Sequence, residues 1–96
     1  MTSRITSKTL DAIANRLNKL TNSPLEPYTR TAEGKLQANI GNFHISGAYG
    51  GYSLHRMVNT SGGVSDVFNC GHMKARDLAD RMYAYERGIE LAQSNV

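Results

Sequence analysis

The sequence predicts an α+β fold: one domain over residues 1–96, in the order α-β-β-β(-β)-α, with an antiparallel β-meander packed against two helices. Three observations predict it. Residues 6–21 and 73–92 repeat apolar side chains with the helical period, while the segment 36–69 alternates with period two. Seven of the nine glycines lie between 41 and 71, where a meander needs its corners. Gly50-Gly51 stands between Tyr49 and Tyr52 with an alternating run on its C-terminal side. That is a two-residue hairpin signal, because the turns that match strand twist need positive φ.

Taken in order, the first helix spans 6–21. Leu10, Ile13, Leu17 and Leu20, with Ala14 beside them, form one narrow apolar stripe. Thr6 is placed to cap it, with Ile5 and Leu10 as a hydrophobic staple. Asn22 is a left-handed stop, and Pro24 prevents continuation. Residues 22–35 read as a connector that Leu25 and Tyr28 pin to the core. Leu36, Ala38 and Ile40 then alternate as a half-buried strand, and the apolar phase shifts at Phe43 and Ile45. A period of two cannot change phase without an inserted residue. Gly41-Asn42 is therefore a bulge in one bent strand, the preferred reading, or a tight turn between two. Strands resume at 52–58 and 64–69 around Asn59-Thr60-Ser61-Gly62-Gly63. Ala75, Leu78, Ala79, Met82, Tyr85 and Ile89 share one face of the second helix. Asp77–Arg81 and Arg76–Asp80 stand as i, i+4 pairs on its solvent side, and residues 93–96 form a frayed tail.

Composition removes several functions. No window of 18 apolar residues exists, so no membrane span is expected, and the first thirty residues lack the apolar core of a secretory signal. The single cysteine, Cys70, cannot form an internal disulfide, which fits a reducing cytoplasm. The net charge of +3 resides in the first helix, where Arg4, Lys8, Arg16 and Lys19 face only Asp11; residues 36–72 hold just Arg56 and Asp66.

His44, His55, His72 and Cys70 are the only soft ligands. Structural zinc takes four ligands in paired short spacings, and here one short pair, Cys70-Gly71-His72, joins two scattered histidines, so no metal and no cofactor are expected. Nucleophilic catalysis needs a serine or cysteine beside a histidine that a carboxylate orients. Alternation puts Asp66 and Cys70 on one face but about 13 Å apart along a strand. No nucleophile elbow and no phosphate loop is present, so no catalytic residue is assigned. The candidates for partner binding are Tyr49, Tyr52 and Arg56 around the Gly-Gly turn, since tyrosine gives a large contact at low entropy cost. An uncharged edge strand also permits a homodimer.

Two resemblances follow. The order helix, three strands, helix is similar to that of the double-stranded RNA-binding domain, which implies a nucleic-acid surface on Lys8, Lys19, Lys74 and Arg76. That family's basic run at the last helix is met here by His72-Met73-Lys74-Ala75-Arg76, with Asp77 and Asp80 following. Residues 36–89 resemble small uncharacterised proteins of tailed phages and prophages, through Gly41-Asn42-Phe43-His44-Ile45, Ala48-Tyr49-Gly50-Gly51-Tyr52-Ser53-Leu54, Gly62-Gly63-Val64 and a final helix with Tyr83 and Tyr85. This resemblance implies a non-enzymatic accessory protein of the host bacterium's cytoplasm. Its expected partner is a host protein or ribonucleoprotein complex, as for inhibitors of bacterial immunity such as anti-CRISPR proteins.

Overall fold

Thr6 starts the first helix with a reciprocal cap: Thr9 N–H donates to Thr6 Oγ1, and Thr6 N–H to Thr9 Oγ1, both at 3.4 Å. In the computed structural model, which describes residues 4–94, this helix is α1, Ser7–Leu20. Leu10, Ile13, Ala14 and Leu17 are buried, as their spacing requires. Thr21 closes the last turn with its N–H on Leu17 O, and Asn22 follows in the left-handed region at φ 57°.

The connector differs from expectation. Tyr28–Arg30 forms a strand, β1, paired antiparallel with β2, Leu36–Ala38. Both belong to a two-stranded ribbon separate from the main sheet. A ribbon of this size buries little: Ala38 is buried, its N–H on Thr60 O, but Leu36 and Ile40 remain 63% and 57% exposed. Leu25 and Tyr28, expected to anchor the connector, are about half exposed as well, at 50% and 46%.

At Gly41-Asn42 the chain makes the turn between two strands and not the preferred single bent strand, because Leu36–Ala38 and Phe43–Ala48 belong to different sheets. Asn42 N–H bonds Asn39 O, which closes a turn with Gly41 at φ 94°, the positive value a type II turn needs at its third residue. Gly41 N–H also donates to Met57 O, while Met57 N–H donates to Asn42 O, each at 2.9 Å. Two residues thus oppose one, a bulge with glycine at its first position. The same two residues lie in the link between the two sheets.

The main sheet contains β3 (Phe43–Ala48), β4 (Gly51–Met57) and β5 (Val64–Asp66), in that spatial order and all antiparallel. Asn59 organises the loop before β5, its Oδ1 accepting the N–H groups of Ser61 and Gly63 at 3.0 and 2.8 Å. β5 stops three residues short of the expected 69. Asn69 N–H turns back to Asp66 O, and Asn69 itself is left-handed at φ 54°. The chain then returns to the sheet at Met73, which exchanges both backbone hydrogen bonds with Tyr52 at 2.8 Å.

Helix α2, Ala75–Ser94, completes the chain. The tail is not frayed at Gln93, whose Nε2 donates to Leu20 O at 2.7 Å; Asn95 and Val96 lie outside the described residues. The pairs Asp77–Arg81 and Arg76–Asp80 do not close. The one ion pair among the described residues is a bidentate link between the helices, Arg16 Nε and Nη2 to the Glu86 carboxylate at 2.7 and 3.0 Å. Both helices pack on one face of the main sheet, where Leu10, Ile13, Leu17, Phe43, Leu54, Leu78 and Met82 form the core. Each such side chain, fully removed from water, stabilises the fold by about 1.5–3 kcal/mol. The α+β class and the two core-facing stripes are therefore as the sequence predicts.

Candidate functional site

The central hairpin turns one residue earlier than Gly50-Gly51. Ala48 pairs with Gly51, so the two turn residues are Tyr49 and Gly50, at φ 55° and 73°. Positive φ at both positions is the type I′ geometry that two-residue hairpins favour. Glycine at both would be locally easiest, but Gly51 is needed elsewhere. A Cβ at 51 would lie 2.9 Å from Met73 O and 3.1 Å from Met73 N. The return of the chain at Met73 therefore reserves Gly51 for the strand and pushes Tyr49 into the left-handed region. For a non-glycine residue this costs about 1–2 kcal/mol. The side chain that bears this strain is 98% exposed.

The three proposed partner-binding residues separate. Tyr49 projects from the tip, its ring edge-on to His72 at 5.8 Å between centroids. Tyr52 lies on the helix side of the sheet, packed against the core and covering Gly47. Arg56 is also occupied internally: its Nε donates to Gly41 O at 3.1 Å, and its guanidinium sits 4.5 Å from the Phe43 ring centroid. Arg56 thus holds the bulge against the core.

Opposite the helices, the sheet presents a row that the sequence did not reveal. His44 and His55 are direct cross-strand partners, with ring centroids 5.9 Å apart. His72 reaches over the sheet from the segment before α2, 6.0 Å from His55 and hydrogen-bonded through Nε2 to Ser46 Oγ at 3.1 Å. The chain's three histidines and Tyr49 therefore form one edge-to-face line. A turn at Gly50-Gly51 would pair His44 with Met57; the one-residue shift pairs it with His55. That shift is the signal the sequence reading lacked.

Burial lowers the proton affinity of His44, and the neighbouring His55 adds to this; its Nδ1 lies 3.2 Å from Asn42 Oδ1. His55 is lowered by burial too, opposed by the Asp66 carboxylate and reinforced by His72. Burial alone would raise the Asp66 carboxyl, but the Gly71 N–H, the nearby Ser53 hydroxyl and the N–H groups of Phe68 and Asn69 outweigh it and hold it below its ordinary value. Ser53 Oγ and Asp66 Oδ1 are both buried without a hydrogen-bond partner of good geometry among the described residues. Asp66 also folds back on the corner, accepting Gly71 N–H at 2.8 Å, so it does not stand a strand's length from Cys70 as alternation implied.

Cys70 and His72 point to different neighbours. Cys70 is exposed, its Sγ on Phe68 O at 3.0 Å, in a hollow shared with Asp77 and Asp80. Ser46 and His72 do meet, but no carboxylate hydrogen-bonds the imidazole among the described residues. No three of His, Cys, Asp or Glu among the described residues converge on a point that could hold a metal.

The four basic residues of the nucleic-acid reading are all exposed. Lys8 and Lys19 lie eleven residues apart on α1, nearly in line along the helix and about 16 Å apart. Lys74 and Arg76 flank the start of α2. Lys19 borders a groove it shares with Arg16, Glu86 and Glu90, two charges of each sign, with Arg16 paired to Glu86. No helix is long and apolar enough to cross a membrane among the described residues. In comparison with known proteins, the chain matches no family model, no curated protein and no solved structure.

Proposed function

We propose that this chain is a non-enzymatic accessory protein of the phage or prophage kind, which binds a host bacterial protein or ribonucleoprotein complex in the cytoplasm. It acts by occupying a surface, as inhibitors of bacterial immunity such as anti-CRISPR proteins do. One observation carries the reading: Tyr49 is held in a strained left-handed turn and is almost wholly exposed. Strain maintained at an exposed aromatic residue points to use, because stability alone would select asparagine or glycine there. An aromatic anchor on a rigid turn loses little entropy on docking. The test compares wild type with Tyr49→Ala in affinity capture from bacterial lysate, followed by an immunity-interference assay. The expected result is a captured complex and interference that both disappear in Tyr49→Ala, with its melting temperature retained. The same capture profile from both proteins refutes the reading.

A second reading, a nucleic-acid-binding module, rests on the exposure of Lys8, Lys19, Lys74 and Arg76, none of them in an ion pair among the described residues. It requires duplex binding that weakens steeply with salt, because each phosphate contact releases counterions. Absence of binding to duplex RNA or DNA at about 50 mM salt ends it.

A further inference from the structure

β3 is an edge strand, and its two ends are finished differently from its middle. At one end, Asn18 of α1 is buried and takes the place of a neighbouring strand: its Nδ2 donates to Phe43 O at 3.0 Å, and its Oδ1 accepts Phe43 N–H at 2.7 Å. At the other end the Tyr49-Gly50 turn closes the hairpin. Because Phe43 points its backbone groups away from β4, the alternation of an antiparallel ladder points those of Ile45 and Gly47 the same way. Neither residue's outward N–H or C=O finds a partner among the described residues. The open edge is thus two residues long.

Edges of monomeric sheets are normally blunted by charge, proline or a bulge. Between Asn42 and Leu54 there is no charged residue and no proline, and the one bulge lies before Phe43. Beside Ile45 lies a groove of about 350 Å³ between α1 and residues 25–27, with Asp11 and Glu26 on its walls. An acidic strand is repelled there, and a long strand meets Asn18.

We propose that the occupant of this edge is the β3 strand of a second copy, paired antiparallel about a two-fold axis at Ser46. Ile45 then faces Gly47 of the second copy and Gly47 faces Ile45, which satisfies all the open groups with four hydrogen bonds. The length fits, because the incoming strand ends at its own turn where Asn18 blocks anything longer. No like charges oppose each other across the axis, and a neutral turn lies against Asp11 and Glu26. The result is a continuous six-stranded sheet with a histidine row from each copy on one face. This inference goes beyond the host-binding reading and does not depend on it.

The test is the mass in solution, by sedimentation and light scattering up to the highest soluble concentration. Wild type is expected at twice the 10.5 kDa chain mass. Gly47→Pro is expected at the single-chain mass, since it removes only the outward N–H and its Cβ meets the Tyr52 ring at an ordinary 3.8 Å. Ser46 faces its own copy with Cα atoms about 4.5 Å apart, within disulfide reach. Ser46→Cys in a Cys70→Ser background is therefore expected to oxidise to a covalent dimer, while Thr29→Cys in that background is not. A wild type that stays monomeric, a dimer that survives Gly47→Pro, or a Ser46→Cys protein that does not cross-link each overturn the proposal. Should Gly47→Pro fail to fold, the Ser46→Cys cross-link decides alone. Tyr49→Ala should leave the dimer mass unchanged, which separates this failure from failure of the host-binding reading.

Discussion

The two faces of the main sheet are built from the same two strands by opposite rules. Toward the helices, Phe43, Ile45, Tyr52 and Leu54 interlock with the apolar stripes, and the one charge, Arg56, is tied to Gly41 O and stacked on Phe43. Away from them, His44 and His55 meet edge to face, Ser46 bonds His72, and Ser53 Oγ is buried without a hydrogen-bond partner of good geometry among the described residues. The first face carries the main core; the second is polar apart from Met57, which is also buried on β4. A surface of the second kind is free to be specified by what it contacts.

Adjacent residues test this contrast most directly. Leu54 and Ser53 are both buried, on opposite faces of β4. Leu54→Ala removes packing from the centre of the core and should destabilise by about 2–5 kcal/mol. Ser53→Ala deletes a hydroxyl that lies near Asp66 but makes no well-formed hydrogen bond among the described residues, so stability should change by less than about 1 kcal/mol. Urea denaturation of the two variants compares the faces. Similar losses from both would show that the polar face is structural.

Next in size is the joint between helix and sheet. Asn18→Ala leaves the Phe43 N–H and C=O without their buried partner and should lose about 2–3 kcal/mol. Asn18→Asp keeps the acceptor for the N–H but sets a carboxylate against the carbonyl, and should recover only part of the loss. Hydrogen exchange at the Phe43 amide reads this locally. Protection unchanged in Asn18→Ala would mean that the clip is dispensable.

Asn18 also shows where the sequence stops being legible. Its neighbours Leu10, Ile13, Ala14 and Leu17 announced the core stripe by spacing, because burial on a helix repeats. A polar residue inside that stripe announces nothing until the strand it satisfies is in place. The helices, the caps of the first and the break in phase at Gly41 were readable because local periodicity or local backbone chemistry dictates them. The ribbon of Tyr28–Arg30 was not, since three exposed residues carry no alternation to detect. The turn at Tyr49-Gly50 misled in the opposite sense: local preference favours Gly50-Gly51, and a tertiary contact 22 residues away, Met73 against Gly51, overrules it. With the turn misplaced by one residue, the histidine pair could not be seen.

The polar face should respond to acid while the apolar face does not. His44 and His55 hold their protons more weakly in the fold than in the unfolded chain, chiefly through burial. Their contribution to stability is therefore complete above the ordinary histidine value of about 6.5 and is lost as pH falls through the lower folded values. The groups facing them are His72, Tyr49 and Asp66, of which only Asp66 offsets the added positive charge. Asp66 is itself depressed, so its contribution is lost only in a separate, more acidic window. The urea midpoint should fall between about pH 7 and about pH 5, and His44→Gln with His55→Gln should flatten that slope. A slope that survives the double substitution would place the titrating group elsewhere.

The smallest expected change in stability bears most on function. Tyr49→Asn creates Asn-Gly, the preferred pair for a type I′ turn, and relieves an aromatic residue of positive φ. Few native contacts are lost, because the ring is exposed and touches His72 only edge-on. The fold should gain about 0.5–1 kcal/mol, which raises the melting temperature by a few degrees for a domain of this size. If the tip is an anchor, the same variant should lose partner capture and immunity interference while becoming the more stable protein. A variant that is stabilised and keeps full capture would instead make Tyr49 a residue displaced by the needs of Gly51, with no role of its own. Scanning calorimetry beside capture distinguishes the two, because a defect that accompanies a gain in stability cannot be attributed to misfolding.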